Sequence, residues 1–398
     1  MSIEKFLISG TGCALADYLY SEISFSSSSF SKYLSVKPGD GGISPGRLVF
    51  TEELEKFSGQ PYEKILDDIT GGKDPDGINI GGPGLVSMIN VAQLLDEDDF
   101  SVRFYGRPGR DKTSEMIISS AGSTPLDISG YLPLSQKPTP FTDVFSDPWF
   151  DGGNGERTFV INIGAAWDYV PEMIPEEFFK SEIICFGGTA LVPYIHDSLW
   201  DLLLKGKRNN CITIVNTVFD FRNEKANPGA PWPLVKNETG YTLIDVLITD
   251  HEEAIKISGQ SSSLKAAEFF IRKGVSSIFI TNGPKDIIAF SNGSLFEESG
   301  LINFPVSRLV TDELRRSGDT TGCGDNFAGG IIASVASQKR IHKDKKLSIE
   351  EAVSMAVASG GFACSYQILG RNFFAGRKRE IRSKSRTCDN RHNRPRHH

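Results

Sequence analysis

The 398-residue chain has no Gly-x-x-x-x-Gly-Lys-Ser/Thr string, which excludes a P-loop NTPase. No apolar run approaches the ~18–20 residues that a membrane span needs. The opening stretch, MSIEKFLISG, lacks a basic flank, a long apolar core and any Arg/Ser-rich amphipathic character. Neither a secretory signal nor a transit peptide is expected, and the default location is cytoplasmic. Six cysteines, at 13, 185, 211, 323, 364 and 388, include no close pair. That spacing excludes a zinc cluster and offers no disulfide framework. Cys13, Cys185, Cys211 and Cys364 lie among apolar or small residues and read as small buried hydrophobes. A dinucleotide fingerprint is missing as well. Gly10 and Gly12 are followed by Leu15 where the third glycine belongs, which argues against an NAD-dependent oxidoreductase.

Positive charge is scarce outside the C-terminus. From Arg377 onward there are nine Lys/Arg against two Asp/Glu, so the tail carries +7 and the rest of the −7 chain carries −14. An acidic body argues against a nucleic-acid surface on the folded part. Residues 377–398 have almost nothing apolar to bury and read as a basic, disordered tail; a solvated end is favoured over a nuclear signal or an RNA contact.

What the chain does contain is rhythm. From residue 180 the runs EIICFGG, CITIVNT, DVLITD and SSIFITNG recur with helical or polar stretches between them. This predicts βα units feeding a three-layer α/β fold, a mostly parallel sheet with helices on both faces. Further strands are expected at residues 6–9 and 102–105, and a helix at 51–57. Residues 138–163 alternate apolar and polar around a turn-rich PWFDGGNG, as an antiparallel flap would. A small β lid is expected from this flap and from segments around 10–45, the whole of 1–376 forming one domain. The serine-rich patch at 24–29 reads as a loop.

The chemistry concentrates in SGDTTGCGDNFAGGIIASVAS, residues 317–337. Phe327, Ile331, Ile332 and Val335 have helical spacing, which places Gly322, Cys323 and Gly324 at the helix N-terminus. Backbone N–H groups there have no intrahelical partner and sit at the positive end of the dipole, a ready oxyanion or phosphate site. A carboxylate beside such a site, Asp325, is poorly suited to bind an anion. It is well suited to take a proton from a hydroxyl attacking a phosphoryl group. The competing reading is an ordinary helix cap.

Asp319-Thr-Thr-Gly-Cys-Gly-Asp325, followed by Phe327-Ala-Gly-Gly330, closely resembles the C-terminal signature of the ribokinase-like (PfkB) carbohydrate kinases, with Cys323 in place of the usual Ala. The resemblance implies Asp325 as catalytic base and the Gly322, Cys323 and Gly324 amides as anion hole. It implies a nucleotide site that includes Asp319, Thr320, Thr281 and Gly283, the last two in TNGPKD. An acceptor site is implied at Asp17, Gly81, Gly82 and Ser87, from SGTGCALAD and GGPGLVSMINVAQLL. YGRPGRD resembles the family's Gly-x-x-Gly-x-Asp at Gly106, Gly109 and Asp111.

Three positions depart from the pattern. The Asn-x-x-Glu that organises Mg2+ through water stands here as Asp250-His251-Glu252-Glu253, keeping an oxygen ligand but adding charge. The usual acceptor-binding Asn falls near Val86 or Ser87. Past Gly370 the chain turns into the basic tail where the family continues with apolar segments.

The activity so implied is ATP-dependent phosphorylation of a small alcohol, with Mg2+ held through Asp250 and Glu253 and K+ near Asp319. The acidic body and Asp17 suit a neutral polyol, a ribose- or fructose-like sugar first and a nucleoside second. A non-catalytic binding or regulatory relative is the third alternative. The family often dimerises through its lids, which the alternating segments allow. Among residues outside the signature, Asn216, Asp220 and Arg222 follow a strand. Arg222 is as well placed for a surface salt bridge as for a phosphate, and His251 reads as a solvent-facing helix start. Trp149 and Trp167 flank the flap, either to close over substrate or to pack its base.

Overall fold

Runs of Ile, Val and Phe almost free of charge need a sheet covered on both faces. The computed structural model, which describes residues 4–37, 39–306 and 322–367, provides one. Along the chain the strands are β1 (Phe6–Gly12), β2 (Leu15–Tyr20), β3 (Leu48–Phe50), β4 (Gly77–Gly81), β5 (Phe100–Gly106), β6 (Asp127–Tyr131) and β7 (Phe141–Asp147). They continue as β8 (Glu156–Asn162), β9 (Ile183–Gly187), β10 (Ile212–Asn216), β11 (Val246–Asp250), β12 (Ser277–Thr281), β13 (Ile287–Ser291) and β14 (Ser299–Phe304). Nine of these form the main sheet in the order β14-β13-β12-β11-β10-β9-β1-β5-β6. The pairings from β6 through β12 are parallel, and β13 and β14 finish the edge antiparallel.

The order reverses at β1. The chain runs from β1 toward β5 and β6 on one side, then returns to build β9 through β12 on the other. In an open α/β sheet the crevice at the carboxyl ends of such a switch point is where ligands bind. Helices Pro83–Leu94, Cys323–Ile341 and Ile349–Gln367 cover one face, and their apolar residues join those of β1 and β5 in one core cluster. A second cluster, from β9, β10, β12 and the helices between them, fills the other face.

The lid is a separate five-stranded sheet, β3-β8-β7-β2-β4. Its β7–β8 hairpin is antiparallel from Phe141↔Asn162 to Asp147↔Glu156, inside the expected 138–163 flap. The sheet also takes in β3 and β4, which lie outside the segments expected to form it. Helices Thr51–Ser58 and Tyr62–Thr70 cover its outer face, where Phe30, Leu54, Ile65, Phe145 and Val160 are buried. The serine patch is a short capped helix: the Ser27 hydroxyl accepts from the Phe30 N–H at 3.1 Å. Among the described residues no helix is long and apolar enough to cross a membrane.

Strand β7 carries two buried acids into this lid, Asp143 and Asp147. Asp143 is only 2% exposed, and its Oδ2 accepts from the Tyr62 hydroxyl at 2.5 Å. Burial pushes its carboxyl up to about 7 from 3.8, with the Tyr62 hydrogen bond partly offsetting the rise. The folded state therefore holds more protons than the unfolded one between those values, so stability falls as pH rises across that window. Asn at this position keeps an acceptor for Tyr62 without the charge. The melting temperature of Asp143→Asn should gain on the wild type as pH is raised from about 5 to about 8. A difference that is flat with pH would show that this charge is not felt by the fold.

Candidate active site

The carboxyl ends of the parallel strands meet the lid where β1 becomes β2. The Cys13 N–H donates to Gly187 O at 2.8 Å and the Leu85 N–H donates to Cys13 O at 3.1 Å. This locks the turn between β9 and the start of the Pro83–Leu94 helix. A Cβ on Gly84 would lie 2.8 Å from Cys13 O and 2.9 Å from Gly187 O, both rigid backbone. Gly82 is the N-cap of that helix at φ 92. Gly81 ends β4 opposite Leu15 of β2; a Cβ there would fall 2.4 Å from Asp17 Oδ2. Asp17 and the glycine loop are thus brought together. Ser87 is turned away, its hydroxyl donating to Pro83 O at 2.6 Å within its own helix.

Gly322, at φ 75, is the N-cap of the Cys323–Ile341 helix and turns the chain into it. The Cys323, Gly324 and Asp325 N–H groups lie in the first turn, where no intrahelical acceptor exists. Asn326 braces the turn, its backbone N–H and Nδ2 both donating to Gly322 O, at 3.0 and 2.8 Å. Asp325 is half-buried in that first turn, and burial pushes its carboxyl up to about 6. Asp17 is raised to about 7, first by burial, with the Thr142 hydroxyl pulling it back and the Asp325 charge adding to the rise. Cys323 is disulfide-bonded, although the cysteine spacing gives no hint of a disulfide framework. Cysteine spacing carries no signal for a bond made by the tertiary fold. Cys13, Cys185 and Cys211 are buried and free, as expected.

Asp250 and Glu253 form a capping box at the start of the His251–Ser258 helix, so the structural and the chemical readings of this motif coincide. Asp250 Oδ1 accepts from the Glu253 N–H at 2.8 Å, and the Thr217 hydroxyl donates to Glu253 Oε2. Burial, then the neighbouring Asp250 charge, raise Glu253 to about 8; Asp325 contributes as well. Among the described residues no cluster of three or more His, Cys, Asp or Glu side chains could bind a metal directly. Among the described residues Asp250 Oδ2 and Glu253 Oε1 accept no hydrogen bond, and two carboxylate oxygens fit a hydrated cation better than a bare one.

Thr281 lies beside Asp250 across the β11–β12 pair, and Gly283, at φ 54, turns the exposed loop that follows. Asp319 and Thr320 lie outside the described residues. Arg222 is committed to both oxygens of Asp197, the salt-bridge reading. Asp220 caps the Phe221–Ala226 helix through the Asn223 N–H. His251 Nδ1 pairs with Ser263 Oγ and is half-buried, so it is not the solvent-facing residue expected. Trp149 is 61% exposed and Trp167 packs edge-on to Tyr194.

The profile of the pfkB family carbohydrate kinases matches residues 77–371, well over half of the chain. The chain belongs to the pfkB family. The ribokinase of Haemophilus influenzae is 26% identical over 323 residues, covering 79% of this chain and 86% of that one. The cytidine kinase of Thermococcus kodakarensis is 25% identical over 282 residues, 70% of this chain and 89% of that one. The structure of Arabidopsis thaliana ribokinase complexed with ribose and ATP superposes with a TM-score of 0.62 at 16% identity, covering 96% of this chain and 99% of that one. The fold is ribokinase-like.

Around this candidate site, sequence reasoning missed Thr217 and Asn326, both of which brace an acidic residue or its turn. Thr217 directly follows Asn216, the last residue of β10, but only the β10–β11 pairing sets that strand end beside the helix carrying Glu253. Asn326 adjoins Asp325 in the motif and was passed over as helix. The Gly84 contact gives a direct test. Gly84→Ala must move backbone at two places, and overpacking of this kind costs about 1–3 kcal/mol. A melting temperature lowered accordingly is expected; an unchanged one would mean the loop has slack.

Proposed function

We propose that this chain transfers the terminal phosphoryl group of ATP to an alcohol of a small, sugar-sized polyol, with Asp325 as the base. The placement of Asp325 carries the reading: a half-buried carboxylate in the first turn of the helix that Gly322 caps, close enough to Asp17 for their charges to interact. An acceptor hydroxyl beside Asp17 and Asp325 gives its proton to Asp325 as its oxygen bonds to phosphorus and the bond to ADP breaks. The Gly322, Cys323 and Gly324 amides stabilise the charge on the transferred group. Mg2+ held through water by Asp250 and Glu253 would neutralise phosphate charge. K+ near Asp319 follows from the resemblance alone. The lid shields the transfer from water, which would otherwise compete as acceptor. A nucleoside is the second acceptor class, supported by the cytidine kinase relative.

A base must be ionised to act, so kcat/KM should rise with pH through about 6, the value to which burial raises Asp325, and level off above it. Asp325→Asn should lose about 10²- to 10⁴-fold in acceptor-dependent ADP release and lose that acid limb. If wild type and variant both release no ADP with any acceptor while ATP still binds, the protein is a non-catalytic relative.

A further inference from the structure

The cleft does not stop at Asp17. Leu15 and Asp17 are two apart on β2 and share a face of the lid. Leu15 also lines an open pocket at the carboxyl ends of β1, β5 and β6. Its walls are largely apolar, with Leu15, Ile163, Ala166, Leu191 and Val192 among them. Cys13 connects the two regions: it lines the pocket, it feels the charges of Asp325 and Asp17, and Tyr131 across the pocket feels Cys13 in turn.

Three polar side chains of size enter the pocket. Tyr169 is satisfied, its hydroxyl paired with Thr11 Oγ1 at 3.0 Å. Tyr131 is 4% exposed and its hydroxyl has no partner. Arg107 Nε is buried and also unpartnered. Among the described residues, the guanidinium's hydrogen bonding is limited to Nη1 with Met173 Sδ at 3.1 Å, and no carboxylate is within ion-pair distance. Lys137, on the next segment, is spent on Asp168 at 2.8 Å.

Two unpaired donors in an otherwise apolar pocket are costly to leave without an acceptor. Asp168 feels Arg107 as well as Lys137, two cations to one carboxylate, so one positive charge is left over to match one negative charge. A phosphate dianion would carry a second charge toward Asp17 and Asp325 with no cation to meet it. A carboxylate presents two acceptor oxygens on one plane, which suits a guanidinium N–H and a phenol O–H side by side.

Resting on the kinase reading above, we infer that the acceptor is a polyhydroxy acid, its alcohol at Asp325 and its carboxylate against Arg107 and Tyr131. This departs from the neutral polyol that the acidic composition suggests. Net charge describes the whole surface, whereas the pocket sees Arg107.

The test uses the full chain with Mg-ATP and measures ADP release with gluconate and 2-ketogluconate against glucose, fructose, ribose and cytidine. Calorimetry of gluconate binding to Asp325→Asn runs beside it. The acids should be preferred in kcat/KM. Arg107→Met should cut the acid-over-neutral preference about 10- to 100-fold, chiefly through KM, and Tyr131→Phe should cut it less. Turnover of neutral sugars or cytidine with no response to the acids overturns the inference and leaves the kinase standing. Gluconate binding that depends on Arg107, with no ADP from any acceptor, supports the pocket and overturns the kinase. No gluconate binding and no ADP overturns both.

Discussion

No side chain fits between the Cys13 peptide and the glycine loop, and the cleft is built around that contact. Cys13 joins β1 of the main sheet to β2 of the lid, while Gly81 and Gly82 join β4 of the lid to the Pro83–Leu94 helix of the body. Two of the connections between lid and body therefore pass through one backbone junction, held by the Cys13–Gly187 and Leu85–Cys13 hydrogen bonds. Because β1 lies at the switch point of the sheet, that junction sits over the crevice where the fold leaves room for a ligand. Asp17 is four residues from Cys13 along the chain, so its position is set by backbone rather than by long flexible contacts.

On this frame the site gathers acids and buries them. Asp325, Asp17 and Glu253 are raised to about 6, 7 and 8, each first by burial and the latter two further by neighbouring charge. The causes differ between them: burial alone raises Asp325, the base of the proposed reaction, whereas neighbouring carboxylates add to the rise at Asp17 and Glu253. Environments that separate the pKa values of like groups are how one site divides acid from base work. Thr217 and the Asp250 amide act against burial at Glu253, keeping part of its ionised character.

The strands β9 to β12 and the helix carrying Asp325 were legible because each is a long periodic or apolar run bounded by turn residues. The lid was legible only where alternation was strong. β3 has three residues and β4 reads Gly-Ile-Asn-Ile-Gly, too short or too glycine-rich to stand out. Asp250 and Glu253 were visible, but a capping box and a cation-holding pair use the same residues at the same spacing, so spacing alone cannot choose. Arg222 was visible too, and only the fold shows that Asp197 occupies it. Thr217, Tyr131 and Arg107 matter through neighbours that are distant in sequence, and no local pattern marks such residues.

The turn at residues 106–111 shows how scaffold and selectivity can share one motif. Asp111 is scaffold: it caps the Lys112–Gly122 helix and accepts from both the Thr139 N–H and the Thr139 hydroxyl at 2.7 Å, pinning the root of β7. Gly109 is scaffold as well, its N–H donating to Thr139 Oγ1 at 3.0 Å, with a Cβ excluded by Lys137 O at 2.3 Å. These contacts fix the backbone that follows Arg107 without using its side chain. Arg107 can therefore be changed with little strain on the fold while it faces the pocket beyond Asp17. A position whose backbone is held by its neighbours and whose side chain makes few contacts with the rest of the chain, here one with Met173, is where the proposed kinase could change its acceptor without rebuilding its catalytic end.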